Sequence, residues 1–284
     1  MKRIILTGIL AMAAGIACLA QAPAGKPPAP PKAKSQEEAK AIQAMMTAQG
    51  PDAIIKAADD LQTKFVDTQF KELALATEAN AYRSKGDTDS LIKAQIYGEQ
   101  TLTLNPANVD ANMLIAEILI QTTAAQALNK DEQLAKAQKC LAAAQDGLKN
   151  LTKPDARMPD VDWASVKKEN SARIHNDLGM LASVRKSWDV AITEFKAAIA
   201  DGDQPAYEAR LAATYQQAGR NAEAIATCDK ILADPFTDLP PAAVAQIKSY
   251  INNVKAAATR AAAAKAGPAT TPAAATTPAP APPK

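Results

Sequence analysis

Apolar residues recur along most of this chain at intervals of three and four, the spacing that puts them on one face of an α-helix. The pattern predicts helices over 36–48, 52–64, 68–84, 90–103, 109–128, 131–150, 161–184, 188–200, 204–217, 221–233 and 240–264. The breaks between them are built from residues that stop helices: Gly50-Pro51, Lys85-Gly86-Asp87, Asn105-Pro106, Lys153-Pro154, Gly202, Gly219 and Asp234-Pro235. No stretch of useful length alternates with period two, so no strand is expected.

The helices form pairs, and the pairs repeat. Leu178-Gly179, Ala182, Trp188, Ala191-Ile192, Phe195 and Ala198 mark one pair. Leu211-Ala212, Tyr215, Gly219, Ala224-Ile225, Cys228 and Ile231 mark the next. Gly179 to Ala212, Ala191 to Ala224 and Phe195 to Cys228 are each 33 residues apart. Earlier in the chain Ala79, Tyr82, Gly86, Ala94 and Asn105-Pro106 fit with three extra residues at the turn. Another pair starts at Ile115-Ala116, with Ala135 and Ala142 as the small residues of its second helix. About seven extra residues near 122–131 would lengthen both of its helices. The first pair, 36–67, keeps only Gly50 and the amphipathic pattern. Small residues at such sites let one helix approach another closely. A helix pair cannot bury its apolar face alone, so pairs of this kind stack.

The period and the small-residue sites resemble the tetratricopeptide repeat, whose unit is about 34 residues. An alanine-rich array of helix hairpins of another type would share much of the pattern. The resemblance implies an all-α, right-handed solenoid of about five pairs over residues 35–264. Ile247, Tyr250, Ile251 and Val254 share one face of the last helix, which reads as a cap on the final pair. Packing sites implied by the resemblance are Ala79, Tyr82, Ala116, Gly179, Ala191, Phe195, Ala212, Tyr215, Ala224 and Cys228.

The ends read differently from the body. Met1-Lys2-Arg3, the apolar run Ile4–Ala17 and the small residues up to Ala22 form an export signal, 1–22, too short to span a membrane comfortably. Cleavage after Ala20 fits the small-residue rule. Gly15-Ile16-Ala17-Cys18 also resembles a lipoprotein signal in which Cys18 carries the lipid. Both routes lead to an exported chain, periplasmic, secreted or lipid-anchored. Residues 23–34 are a proline-rich linker and 265–284 an alanine, proline and threonine tail with nothing large to bury.

Composition narrows the function. Of 284 residues, 66 are alanine and only 4% are aromatic, which suits close helix packing and not a sandwich or barrel. Seven of the 32 basic residues and none of the 30 acids lie outside 35–264, so the body holds 25 bases against 30 acids. A mildly acidic body has no electrostatic footprint for nucleic acid. The single histidine, His175, has no second histidine to share a metal, and it reads as a packing or surface residue. No nucleophile elbow, zinc-protease helix or phosphate-binding loop occurs, so neither catalysis nor a cofactor is expected. Cys140 and Cys228 fall two pairs apart, about 20 Å in such a stack, beyond the roughly 7 Å limit for bridged Cα atoms. Cys228 sits at a packing site. Cys140 is one residue off and is expected to be partly exposed.

What remains is the inner groove. In the family it resembles, the first helix of each pair lines that groove and a protein or peptide partner lies in it. The inward residues implied are Leu73, Ala76, Asn80, Arg83, Asp110, Met113, Glu117, Gln121, Arg173, Asn176, Met180, Ala209, Ala213, Gln216 and Gln217. Asn80 alone matches the clamp that some members use for a carboxylate; Asp110 and Leu114 stand where its later basic pair belongs. The implied binding set is Asn80, Arg83, Glu117, Arg173, Asn176 and Gln216. The alanines near 209 and 213 would either accept an apolar segment or simply allow tight curvature. The expected role is a non-catalytic scaffold or adaptor of the bacterial cell envelope. The alternative is a lipoprotein, tethered at Cys18, that assists envelope or outer-membrane protein assembly.

Overall fold

A computed structural model describes residues 31–123, 127–153, 157–237 and 239–266. The expected signal, all but the end of the linker, and the tail beyond Ala266 lie outside the described residues. Among the described residues every regular element is a helix. These are α1 (Gln36–Thr47), α2 (Pro51–Lys64), α3 (Lys71–Lys85), α4 (Thr88–Leu104), α5 (Val109–Thr122), α6 (Lys130–Asn150), α7 (Asp160–Val184), α8 (Trp188–Asp201), α9 (Pro205–Gln217), α10 (Asn221–Leu232) and α11 (Pro241–Ala266).

Local chemistry sets their ends. Ser35, Asp87 and Asn108 accept from the free N–H groups of Glu38, Ser90 and Ala111, capping α1, α4 and α5. Pro51 opens α2 and Pro205 opens α9, where the missing N–H costs nothing. Gly86 and Gly219 turn the chain out of α3 and α9 with φ of 75° and 72°. The α7–α8 turn has the same hydrogen bonds as the α9–α10 turn, 33 residues later. In the earlier turn Lys186 takes the left-handed position, at φ 58°, that Gly219 holds in the later one.

Each helix packs on its predecessor, giving five pairs, α1/α2 to α9/α10, closed by α11. First helices also touch across pairs: α3 meets α5, α5 meets α7 and α9 meets α11. No comparable contact joins α4 to α6 or α6 to α8. The stack is therefore tighter on the side of the first helices, which makes that side concave. The chain is an all-α solenoid of helix pairs.

Small residues set the spacing. Ala79, Ala94, Ala116, Ala191, Ala212 and Ala224 are buried to 1% exposure or less. Phe195 and Cys228 fill equivalent gaps in successive pairs, at 2% and 0% exposure. A Cβ on Gly179 would stand 2.7 Å from the ring of Phe195. On Gly147 it would stand 2.5 Å from the carbonyl oxygen of Ala107. Tyr82 is half-buried and stacks on Tyr97, with ring centres 5.4 Å apart. Tyr215 is buried beneath Arg220, whose guanidinium lies 5.0 Å from the ring centre. Ile251 and Ala258 of α11 are fully buried against the last pairs.

Three expectations are corrected. α5 stops at Thr122 and does not continue to 128. Thr122 and Thr123 turn their hydroxyls back to the carbonyls of Ile118 and Leu119, and Leu128 beyond them is fully exposed, so nothing apolar holds a further turn. Only α6 absorbs the extra length. Its buried small residues are Ala137 and Ala144, while Ala135 and Ala142 face solvent. That shift of two positions also carries Cys140 inward, to 8% exposure. Both described thiols are free. The described end of the linker is held at the α2–α3 turn. The Lys32 N–H donates to Gln69, and the Lys34 ammonium bonds Asp67 in the α2–α3 turn.

One buried acid interrupts the apolar core. Glu78 of α3 has no exposed surface. Gln62 of α2 donates to its Oε2 at 2.7 Å, while no donor reaches Oε1. Burial, together with the neighbouring carboxyl of Asp59, pushes Glu78 up to about 8. Glu78 therefore holds its proton at neutral pH. The stability linked to that proton is whole below the ordinary glutamate value of 4.5 and drains away as pH rises through about 8.

These contacts generate two stability predictions. Gly147→Ala meets a backbone carbonyl that cannot move aside. The overpacking costs about 1–3 kcal/mol against a helix-propensity gain of under about 1 kcal/mol. Denaturant melts are expected to show a net loss of about 1 kcal/mol or more. Gly98→Ala, whose Cβ would meet only the side chains of Ile115 and Leu114 at 3.1 Å and beyond, is expected to be close to neutral. Glu78→Gln keeps the shape and supplies an N–H toward Asp59. It is expected to raise stability at pH 8 by about 1–3 kcal/mol and flatten the decline between about pH 5 and 8, read from melting curves across that range.

Candidate functional site

The concave face is built by α3, α5, α7 and α9, and its polar side chains connect across pairs. Arg83 of α3 meets Glu117 of α5 at 3.1 Å. Gln121, one turn further along α5, donates to the same carboxylate at 3.0 Å. Arg173 of α7 donates to Asp110 of α5 at 3.4 Å. Arg210 of α9 donates to the Oδ1 of Asn176 on α7, and the Asn176 amide donates to Asp177 at 2.9 Å. Glu117 lies 34 residues after Arg83, and Arg210 lies 34 after Asn176, so these two links join side chains one repeat apart, while Arg173 and Asp110 are 63 apart across the longer third pair. Helical spacing explains the row: positions one repeat apart present their side chains to the same face.

The side chains implied by sequence divide into three groups. Arg83, Glu117, Gln121, Asp110 and Arg173 are partly open and share the row. Asn176 belongs to it but is buried, at 6% exposure, beneath Arg210. Asn80 donates to the Ala76 carbonyl of its own helix and is half-buried, as is Gln216. Leu73, Met113 and Ala209 are not groove residues. Leu73 packs with Met45 and Leu61, Met113 with Ile174 and Ala144, and Ala209 with Cys228 and Ile251. Leu73 turns toward the preceding pair, Met113 and Ala209 toward the elements that follow them. Arg210 and Asp177 lie outside the set that the sequence implies. The 34-residue offset from Asn176 is the signal that points to Arg210. Arg210 also changes the character of the last part of the groove, which is charged where the sequence suggests an alanine-smooth surface.

The electrostatics are those of a paired but incompletely buried face. Arg83 and Glu117 keep 37% and 27% of their side-chain surface exposed, and Arg173 and Asp110 37% and 38%. Asp177 is different. Burial, then the charge of Glu117, pushes its carboxyl up to about 7 in spite of Arg173 and Arg210 nearby.

A second concavity, of about 520 Å³, lies among Leu148 and Lys149 of α6, Lys167, Lys168, Ser171, Ile174 and His175 of α7, and Asp201 of α8. His175 bonds Glu194 through Nδ1 at 2.7 Å, tying α7 to α8. Among the described residues no three His, Cys, Asp or Glu side chains gather where a metal ion could sit. No described helix is long and apolar enough to cross a membrane.

This geometry defines a class: a solenoid of stacked helix pairs with one polar, partly open concave face. Comparison with solved structures identifies the type. The chain is similar to a thermophilic TPR protein of Thermus thermophilus, with a TM-score of 0.52 and 18% identity over 72% of this chain and 90% of that one. It is also similar to a tetratricopeptide repeat protein of Parabacteroides merdae, with a TM-score of 0.38 and 15% identity over 83% of this chain and 92% of that one. No family model and no curated protein matches the chain. The fold is that of the tetratricopeptide-repeat proteins.

Because the Arg83–Glu117 pair is partly solvated, a double-mutant cycle with Arg83→Ala and Glu117→Ala is expected to give a coupling below about 1 kcal/mol. Its removal should leave the fold intact, which makes these side chains available for a test of binding.

Proposed function

We propose that the chain is a non-catalytic scaffold of the cell envelope that holds a protein or peptide along its concave face. The observation that carries this reading is the row Arg83–Glu117, Asp110–Arg173 and Arg210–Asn176. It runs over four successive first helices, and much of it is open to solvent. An extended or helical segment laid across the row meets alternating cations, acids and amides, enough to fix register and direction. Partly exposed ion pairs add little to stability, so the two that bridge first helices along this face are available for recognition. The export signal read in residues 1–22 supports an envelope location. Cys18 supports the tethered variant of the same role, in which the scaffold works at a membrane on envelope or outer-membrane protein assembly.

A photo-crosslinker at Gln121, in the row, is expected to capture a partner in the envelope fraction. The same group at Ala142, exposed on α6, is expected to capture none. Arg83→Glu with Arg173→Glu should cut capture about tenfold or more, the cost of about 1.4 kcal/mol per decade, with an unchanged melting temperature. Equal capture from both positions would remove the groove from the proposal. Intact mass of the mature chain separates the variants: a start at Gln21 or Pro23 without lipid means a soluble scaffold, and a lipidated Cys18 means a tethered one.

A further inference from the structure

Asp177 is an acid that its two neighbouring cations leave alone. It is 6% exposed, and the hydrogen bond it receives comes from the amide of Asn176. Arg210, one repeat on, donates to the other end of that same amide. Asn176 thus stands as a spacer between a guanidinium and a carboxyl. Arg173 is committed to Asp110 at 3.4 Å and to Asn170 at 3.3 Å.

The remaining charges around the site are all placed. From α5, Glu117 is bonded by Arg83 and Gln121. From α9, the buried Tyr207 is raised to about 12, by burial first. Glu169 of α7 acts on Tyr207 from a distance. Arg185 near the end of α7 is held by Gln138 and the Leu134 carbonyl of α6. On α8, Glu194 bonds His175, which lies two residues and about 200° around α7 from Asp177. A buried carboxyl can keep an arginine at one remove only while it carries its proton. Once ionised, it offers a charge-assisted bond roughly twice as strong as one to a neutral amide.

We propose that Asp177 is a proton switch that sets where Arg210 points. With the proton on, Arg210 rests on Asn176 and its charge is left for a ligand in the groove. With the proton released to solvent, Arg210 turns to the Asp177 carboxylate and is neutralised. Arg210 moves and Arg173 does not, because Arg210 gives up only a neutral acceptor whereas Arg173 would give up Asp110. Resting on the groove reading above, the consequence is that a carboxylate-bearing segment binds more tightly on the acidic side of the transition.

The test is an NMR titration of the free full chain, following the side-chain carboxyl carbon of Asp177 and the Nε–Hε resonance of Arg210 from about pH 4 to 9. The expected midpoint is about 7, well above the ordinary aspartate value of 3.8, and it is shared by both signals. In Asp177→Asn the Arg210 resonance should stay at its low-pH position throughout. A carboxyl that titrates near its ordinary value, or an Arg210 signal that ignores the transition, would overturn the switch. If the variant does not fold, the shared or unshared midpoint in the wild-type chain still decides. No partner is present, so this result stands apart from the crosslinking outcome. A groove that captures nothing sinks the binding role, and an Asp177 of ordinary acidity sinks the switch alone.

Discussion

A pair of antiparallel helices has two faces and can cover only one of them itself. The second face must be buried by the next pair, and the distance at which this happens is set by the smallest side chains at the crossing. In this protein the two helices of a pair close on each other at Gly179 against Phe195 and at Gly147 against the carbonyl of Ala107, and alanines with almost no exposed surface allow close approach along the rest of the stack. Everything else follows from this close approach. α3 meets α5 and α5 meets α7 more closely than the second helices meet one another, so the array bends toward the first helices. The bend brings positions one repeat apart into register, and Arg83 finds Glu117 and Arg210 finds Asn176.

The same packing explains why the polar groups differ so much from one another. Charges near the open face, such as Arg83 and Asp110, keep about a third of their surface in water, and each has an opposite charge within reach. Charges one layer deeper lose that solvent. Glu78 and Asp177 both sit on first helices, and both hold protons well above the ordinary carboxylate range. The cause in each case is burial first and a neighbouring acid second. Among the residues at the junctions of the stack, these two are therefore sensitive to mildly alkaline and near-neutral pH respectively.

Where expectation and structure differ, the reason is local and physical. α5 ends early because two successive threonines bond back onto the helix, and Leu128 beyond them is left exposed. The small residues buried on α6 are Ala137 and Ala144, two positions along from those the repeat implies. Met113 and Leu73 turn inward because neighbouring elements offer them apolar partners. A repeat template carries average positions. Insertions on either side of α6 and ahead of α7 break that average, and the register there has to be settled by contact.

The sequence by itself determined the helices, their breaks, the pairing and the stack. These depend on spacings of three and four, on glycine and proline at turns, and on a 33-residue offset, all of which are local or periodic and can be read along one dimension. It also pointed to most of the open side chains of the groove. The tertiary structure alone decided which of those side chains meet and how deeply each is buried. It alone showed that Arg210 and Asp177 belong to the face, and that an asparagine amide lies between them. Hydrogen bonding and desolvation depend on distances between residues a repeat apart. A difference of one position on a helix turns a side chain by about 100°, enough to exchange solvent for the core.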